Sequence, residues 1–165
     1  MKTNHSGRFS IEEGNKLFNR GNRKKALSHF KRLRELYPKN SGVWLHSAFL
    51  HDRMGLERQA IPLYKKSISL GLNNRELRDA LVCLSSSFIN IGRPKTAIGI
   101  LRRAQARFPE DIAMKLFMAL AFYEAGHSTQ SVRLLAMTIL NEKNQKALNP
   151  FRKVLKLRYK TLKTS

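Results

Sequence analysis

The stretch 81–109, LVCLSSSFINIGRPKTAIGILRRAQARFP, decides the fold. Gly92 is followed five residues on by the small Ala97, and four further on by the large Leu101. Ser85 stands seven residues before the glycine, Phe88 four before it, and Pro109 twelve after Ala97. This order reads as two antiparallel helices of about 12–15 residues joined by a tight turn. Glycine marks the turn because it takes positive φ without steric cost. The small residues let the two helices approach closely, and the large ones fill the gaps to neighbouring helices. Proline ends the second helix because it has no N–H to donate.

The same punctuation occurs three more times. Gly14, Leu17, Gly21, Ala26 and Phe30 stand in the same order, as do Ala48, His51, Gly55, Ala60 and Tyr64, then Ala119, Phe122, Gly126, Ser131 and Leu135. The turn glycines are separated by 34, 37 and 34 residues, and Pro38 again lies twelve after a small residue. One helix pair leaves an apolar face open, so such units have to stack on neighbours. Four in tandem exceed the roughly three that a stable array needs.

These residues resemble the tetratricopeptide repeat, whose 34-residue unit carries an aromatic, a Leu-Gly pair and an aromatic on its first helix, then Ala, an aromatic and Pro on its second. The second unit has Trp44, Ser47, Ala48, His51, Ala60 and Tyr64; the third has Leu81, Leu84, Ser85, Phe88, Ala97, Leu101 and Pro109. The resemblance covers residues 7–141, as four repeats at about 7–40, 41–74, 78–111 and 112–141, followed by a C-terminal segment, 142–165. It implies an all-α, right-handed superhelical α-solenoid of four helix pairs plus a C-terminal helix. The chain departs from the pattern at Ser10 and Lys115, where a large residue is usual, with Leu116 available as a substitute for Lys115. It also departs at His51, where an aromatic is usual. The second unit lacks the closing proline and gains residues around Gly71, Leu72, Asn73 and Asn74, an insertion similar to a bacterial subgroup of the family known as group 5.

The resemblance also implies a working surface. In such arrays the first helices line a concave groove, which places Arg8, Ile11, Asn15, Phe18 and Asn19 inward in the first unit and Leu45, Phe49, Asp52 and Arg53 in the second. The third contributes Asp79, Val82, Ser86, Ile89 and Asn90, and the fourth Leu116, Leu120, Tyr123 and Glu124. Asn15, Asn19 and Asn90 offer both donor and acceptor to a peptide backbone, beside apolar places for side chains. Such a groove suits an extended segment or a helix; the competing reading makes each apolar residue plain core. Family members that grip the acidic C-terminus of chaperones use a Lys/Asn/Asn/Lys/Arg clamp. Only Asn15 falls at a matching place, with Ile11, His46, Asp79 and Cys83 at the other four, so that clamp is not expected.

The chain has 165 residues, 32 of them Lys or Arg against 11 Asp or Glu, for a net charge of +21. Residues 1–40 hold 11 basic and 3 acidic side chains, residues 41–140 hold 13 and 7, and residues 141–165 hold 8 and 1. The basic excess is densest at the two ends. It predicts attraction to acidic proteins, nucleic acid or anionic membrane. Arg23, Lys24 and Lys25, with Lys31, Arg32 and Arg34, read as the solvated outer face of one helix.

After the repeats, Asn149-Pro150 reads as a helix start, with Asn as N-cap and Pro at the first helical position. Phe151, Val154, Leu155 and Leu162 then recur at helical spacing, with Tyr159 nearby, among Arg152, Lys153, Lys156, Arg158, Lys160 and Lys163. This basic amphipathic helix has three readings: a cap on the last repeat, a binder of acidic lipid or nucleic acid, or a segment folded into the protein's own groove.

Signals for chemistry are missing from the sequence. His5, His29, His46, His51 and His127 form no H-E-x-x-H pair, and the lone Cys83 makes neither a disulfide nor a zinc knuckle. There is no G-x-S-x-G, Walker loop or G-x-G-x-x-G. The expectation is a non-enzymatic protein without cofactor or metal. The N-terminal residues carry no apolar run of signal-peptide length, and no stretch reaches the roughly 18 apolar residues of a membrane span, so a cytoplasmic protein is expected. Two functions remain: a scaffold for an acidic protein or peptide, and a nucleic-acid (RNA) binder acting through its basic termini. Against the second, the basic runs lack the aromatics on which single-stranded bases stack.

Overall fold

The computed structural model describes residues 10–141 and 152–160, and all regular structure among them is helical. The helices are α1 (Ile11–Asn19), α2 (Arg23–Leu36), α3 (Ser41–Asp52), α4 (Glu57–Ser69), α5 (Asn74–Asn90), α6 (Pro94–Gln105), α7 (Ile112–Glu124), α8 (Ser128–Asn141) and α9 (Arg152–Lys160). Arg8 and Lys163, the helix start at Asn149-Pro150, and Phe151 and Leu162 lie outside the described residues. None of the described helices is long and apolar enough to cross a membrane.

The turn inside each helix pair follows from its glycine. Gly21, Gly55, Gly92 and Gly126 have φ of 80°, 70°, 73° and 81°. After each, the next backbone N–H reaches back to close the helix: Asn22 to Leu17 O, Leu56 to His51 O, Arg93 to Phe88 O and His127 to Phe122 O, at 2.8–2.9 Å. This is a Schellman closure, and the left-handed residue it requires is the glycine that the repeat supplies. The insertion in the second unit also carries a positive-φ glycine, whose N–H donates to Ile68 O at 3.1 Å, with a cap added after it. Gly71, at φ 90°, ends α4, and the Asn73 side chain accepts from Glu76 N at 2.9 Å to start α5.

The chain divides into two compact units, one ending at Ser87 and one beginning at Phe88, with the boundary inside α5. In the first unit α1 packs on α2 and α3, and α3 on α2 and α4. Ala26, Phe30, Leu33, Val43 and Leu50 form the buried cluster, with Ile11, Leu17, Phe18, Leu27 and Met54 packed around it. Gly14 sits where α1 touches α2: a Cβ there would stand 2.6 Å from Phe30 Cε2 and 2.9 Å from His29 Cδ2. In the second unit α6 packs on α7, α7 on α8 and α8 on α9. Its buried residues include Ala97, Ile98, Leu101, Ala104, Met114, Met118, Ala119 and Leu140. Every small residue picked out by the repeat is buried: Gly14, Ala26, Ala48, Ala60, Ser85, Ala97, Ala119 and Ser131.

The departures from the repeat pattern have local causes. Ser10 is the N-cap of α1, its hydroxyl accepting from Glu13 N at 3.1 Å, and its carbonyl accepts from His29 Nε2 at 2.8 Å. His51 Nδ1 donates to Ser47 O at 2.7 Å, one turn back along α3. Leu116 does not take the place that Lys115 leaves open; it is exposed, whereas Lys115 lies half-buried with Nζ 3.0 Å from Glu110. A lysine does this by covering its aliphatic stem and keeping its ammonium in water. Arg34 departs from the solvated face expected for its run. It is half-buried with its guanidinium 5.7 Å from the centre of the Trp44 ring, and the Trp44 indole donates to Pro38 O at 2.9 Å.

Candidate functional site

The first helices of the first two repeats, α1 and α3, lie beside each other and open an accessible cleft of about 390 Å³. Asn15 and Asn19, one turn apart on α1, form one wall; His46, Phe49 and Arg53, at spacings of three and four on α3, form the other with Asp52. Tyr64 from α4 and Cys83 from α5 close its inner end. Helical spacing alone sets these walls, because residues three and four apart share a face.

The base of the cleft is aromatic. The rings of His46 and Phe49 meet edge to face at 5.7 Å, and those of Phe49 and Tyr64 at 5.8 Å. The Asn15 side-chain amide donates to His46 Nδ1 at 3.4 Å, so a neutral His46 ring carries its proton on Nε2. Burial holds the His46 imidazole below the usual histidine range. At the rim the Arg53 guanidinium lies 4.3 Å from the centre of the Phe18 ring and donates to Asn19 Oδ1 at 3.4 Å.

Asp52 is the anionic group of the cleft. Its Oδ1 accepts from the Ser87 hydroxyl at 2.7 Å and its Oδ2 from the Tyr64 hydroxyl at 3.1 Å. Burial pushes its carboxyl above the usual carboxylate range, and the two hydroxyl donors oppose that without cancelling it. Burial likewise raises the Tyr64 hydroxyl and the Cys83 thiol. A thiol raised in this way holds little thiolate at neutral pH and makes a poor nucleophile. Among the described residues no group of three or more His, Cys, Asp or Glu side chains gathers where it could hold a metal ion. The arrangement sets the side-chain amides of Asn15 and Asn19 beside an aromatic base.

The other expected groove residues fall into three environments. Leu45 and Val82 are buried, while Ile11 and Ser86 are half-buried; Ile11 packs against the core of the first unit. Arg53 and Asn90 are exposed. On α7, Leu116, Leu120 and Tyr123 are 45%, 44% and 62% exposed and share a face with the exposed Ile112. Of the basic residues on α9, Lys153, Arg158 and Lys160 are exposed and Arg152 and Lys156 half-buried. Tyr64, like His46 and Cys83, lines the cleft without being among the expected groove residues. It was read as a gap-filler, and its ring does fill the α3–α4 seam, but a buried tyrosine hydroxyl needs a partner, and that need brings it to Asp52.

The sequence matches a family model described as "Tetratrico peptide repeat" over residues 42–154, and a second, "Tetratricopeptide repeat", over residues 16–40. Among solved structures the fold is similar to that of MamA, at 17% identity and a TM-score of 0.66, over 94% of this chain and 77% of that one. It is also similar to YrrB, "a TPR protein with an unusual peptide-binding site", at 15% identity and a TM-score of 0.59, over 92% of this chain and 90% of that one. At these identities the likeness is one of fold. No curated protein matches the sequence.

Proposed function

The chain belongs to the tetratricopeptide repeat family, and on that premise we propose that it is a non-enzymatic scaffold holding a peptide or helix of an acidic partner on the inner faces of its first helices. The observation that carries this reading is the cleft between α1 and α3. It joins backbone-binding amides, Asn15 and Asn19, to a cationic rim at Arg53 and an aromatic base at Phe49 and Tyr64. In the second unit the exposed face of α7, with Leu116, Leu120 and Tyr123, offers apolar seats of the kind that anchor an amphipathic segment. The net charge of +21 favours an acidic partner and speeds its approach. YrrB, which shares the fold, is described as having a peptide-binding site, in keeping with a peptide as ligand. We further place the chain in the group 5 subgroup, on its Gly71-Leu72-Asn73-Asn74 insertion, and in the cytoplasm.

The test is affinity capture from native cells at low and high salt, comparing wild type with the double variant Asn19→Ala and Arg53→Glu. Both residues are exposed, so the variant keeps its fold. A protein held by wild type and lost by the variant supports the proposal; a set of captured proteins identical between the two overturns it.

A further inference from the structure

Helix α9 presents two different faces. Arg152, Leu155, Lys156 and Tyr159 share one side and are half-buried, and the Tyr159 carbonyl accepts from Arg133 Nε of α8 at 3.1 Å. That bond ties the end of α9 to α8. Lys153, Val154, Leu157, Arg158 and Lys160 make the other side. There Val154 and Leu157, one turn apart, are 62% and 65% exposed. Five of the nine residues, RKVLKLRYK, are cationic and none is acidic.

Packing on α8 accounts for the first face and leaves Val154 and Leu157 turned to solvent. A helix that only sealed a repeat array would turn a polar face to water. This one turns outward two aliphatic side chains set among Lys153, Arg158 and Lys160. We propose that the outward face of α9 docks on the surface of an anionic lipid bilayer, with Val154 and Leu157 entering the boundary between headgroups and acyl chains and the lysines reaching the headgroup phosphates.

Cations alone would suit any polyanion; the aliphatic pair narrows the choice. Single-stranded nucleic acid is held by cations together with aromatic side chains on which bases stack, and Tyr159, the aromatic of α9, is on the face turned to α8. A second copy meeting this face would bring like charges together. A helix lying in a bilayer interface uses both kinds of residue, buried aliphatics and a basic flank. Its lysine stems run along the apolar surface to bring each ammonium to the phosphates, and an anionic leaflet adds attraction for each cation.

The experiment uses the full chain and sediments it with vesicles of phosphatidylcholine alone, and of phosphatidylcholine with one third phosphatidylserine, at low and high salt. The expected result is binding to the anionic vesicles only. The double change Val154→Ser and Leu157→Ser should weaken it by about tenfold or more, and Lys153→Glu with Lys160→Glu by about fivefold per lysine. Failure to bind anionic vesicles overturns the proposal, as does binding that ignores the aliphatic pair. Tighter binding to labelled single-stranded RNA than to vesicles, unaffected by Val154→Ser and Leu157→Ser, also overturns it and assigns the face to nucleic acid. Insertion is read directly with Leu157→Trp: its added fluorescence should shift to the blue on anionic vesicles, and an unshifted spectrum rejects insertion.

Discussion

The Ser87 hydroxyl donates to Asp52 Oδ1 at 2.7 Å, joining α5 to α3 across 35 residues of sequence. Together with the Tyr64 bond to Oδ2, it gives each oxygen of this half-buried carboxylate a neutral donor. A carboxylate so placed is satisfied as a hydrogen-bond acceptor but poorly compensated as a charge, because neither donor is cationic.

The pH dependence follows from the raised Asp52 carboxyl. A group that binds its proton more tightly folded than unfolded contributes stability below its unfolded pKa, near the ordinary 3.8, and loses it as pH rises through the folded pKa. Asp52→Asn removes the ionisation. The stability of Asp52→Asn relative to wild type should therefore rise as the pH is raised above the ordinary 3.8, as measured by urea unfolding of both proteins across a pH series. A relative stability that falls with pH would mean that Ser87 and Tyr64 stabilise the carboxylate by more than burial costs it.

Gly14 and Gly21 are both repeat glycines, yet they should respond differently to alanine. A Cβ at Gly14 would lie 2.6 Å from the Phe30 ring, which is itself fully buried and cannot step aside. Overpacking of this kind costs about 1–3 kcal/mol, against a gain in helix propensity of about 1 kcal/mol. At Gly21 nothing lies within 4 Å of the added carbon, and only its φ of +80° resists. That strain costs about 1–2 kcal/mol. Gly14→Ala should also loosen the α1–α2 seam, seen as faster amide exchange in α1, whereas Gly21→Ala should lower the unfolding midpoint without that local signature.

The glycine turns were legible because the requirement is local: a positive φ at the end of a helix selects one residue type wherever it occurs. The buried small positions were legible for a related reason, since two helix backbones in contact exclude a large side chain at Ala26, Ala60 and Ala97 alike. Polar partners were harder to read. The bond between Tyr64 and Asp52, and that between Ser87 and Asp52, join residues from different helices, so each depends on how neighbouring pairs are rotated about their axes. A period of 34 residues does not carry that information. Ser10 shows the converse: its role as cap is set by the next three residues, whereas the repeat pattern compares it with packing positions in other units. Leu116 was offered as a stand-in for Lys115, but one residue is about 100° of rotation on a helix, enough to carry it from the seam to the surface.

Pro62 lies inside α4 and is exposed. It removes one main-chain donor and crowds the carbonyl of Arg58, at a cost of about 3 kcal/mol relative to alanine in a helix interior. Part of that is offset because proline also restricts the unfolded chain. Pro62→Ala should therefore stabilise the protein by about 2 kcal/mol, raising the urea midpoint without changing the slope of the transition. An unchanged or lowered midpoint would mean that α4 is bent at Pro62 to fit its neighbour α3.

The exposed face of α7 separates binding from stability most cleanly. Leu120 is 44% exposed, so Leu120→Ser gives up only the covered half of the side chain, and its effect on unfolding should be about 1 kcal/mol. An aliphatic anchor buried by a bound helix contributes far more to affinity than to the fold of the free protein, so the same change should weaken a groove-bound partner by about tenfold. Met118 provides the control. It is buried on the same helix, and Met118→Ala should cost about 2–5 kcal/mol of stability. Calorimetric titration of the captured partner into Leu120→Ser, beside thermal melts of both variants, reads the two effects independently. A Leu120→Ser protein that melts like wild type and binds like wild type would remove α7 from the binding surface and confine it to the cleft between α1 and α3.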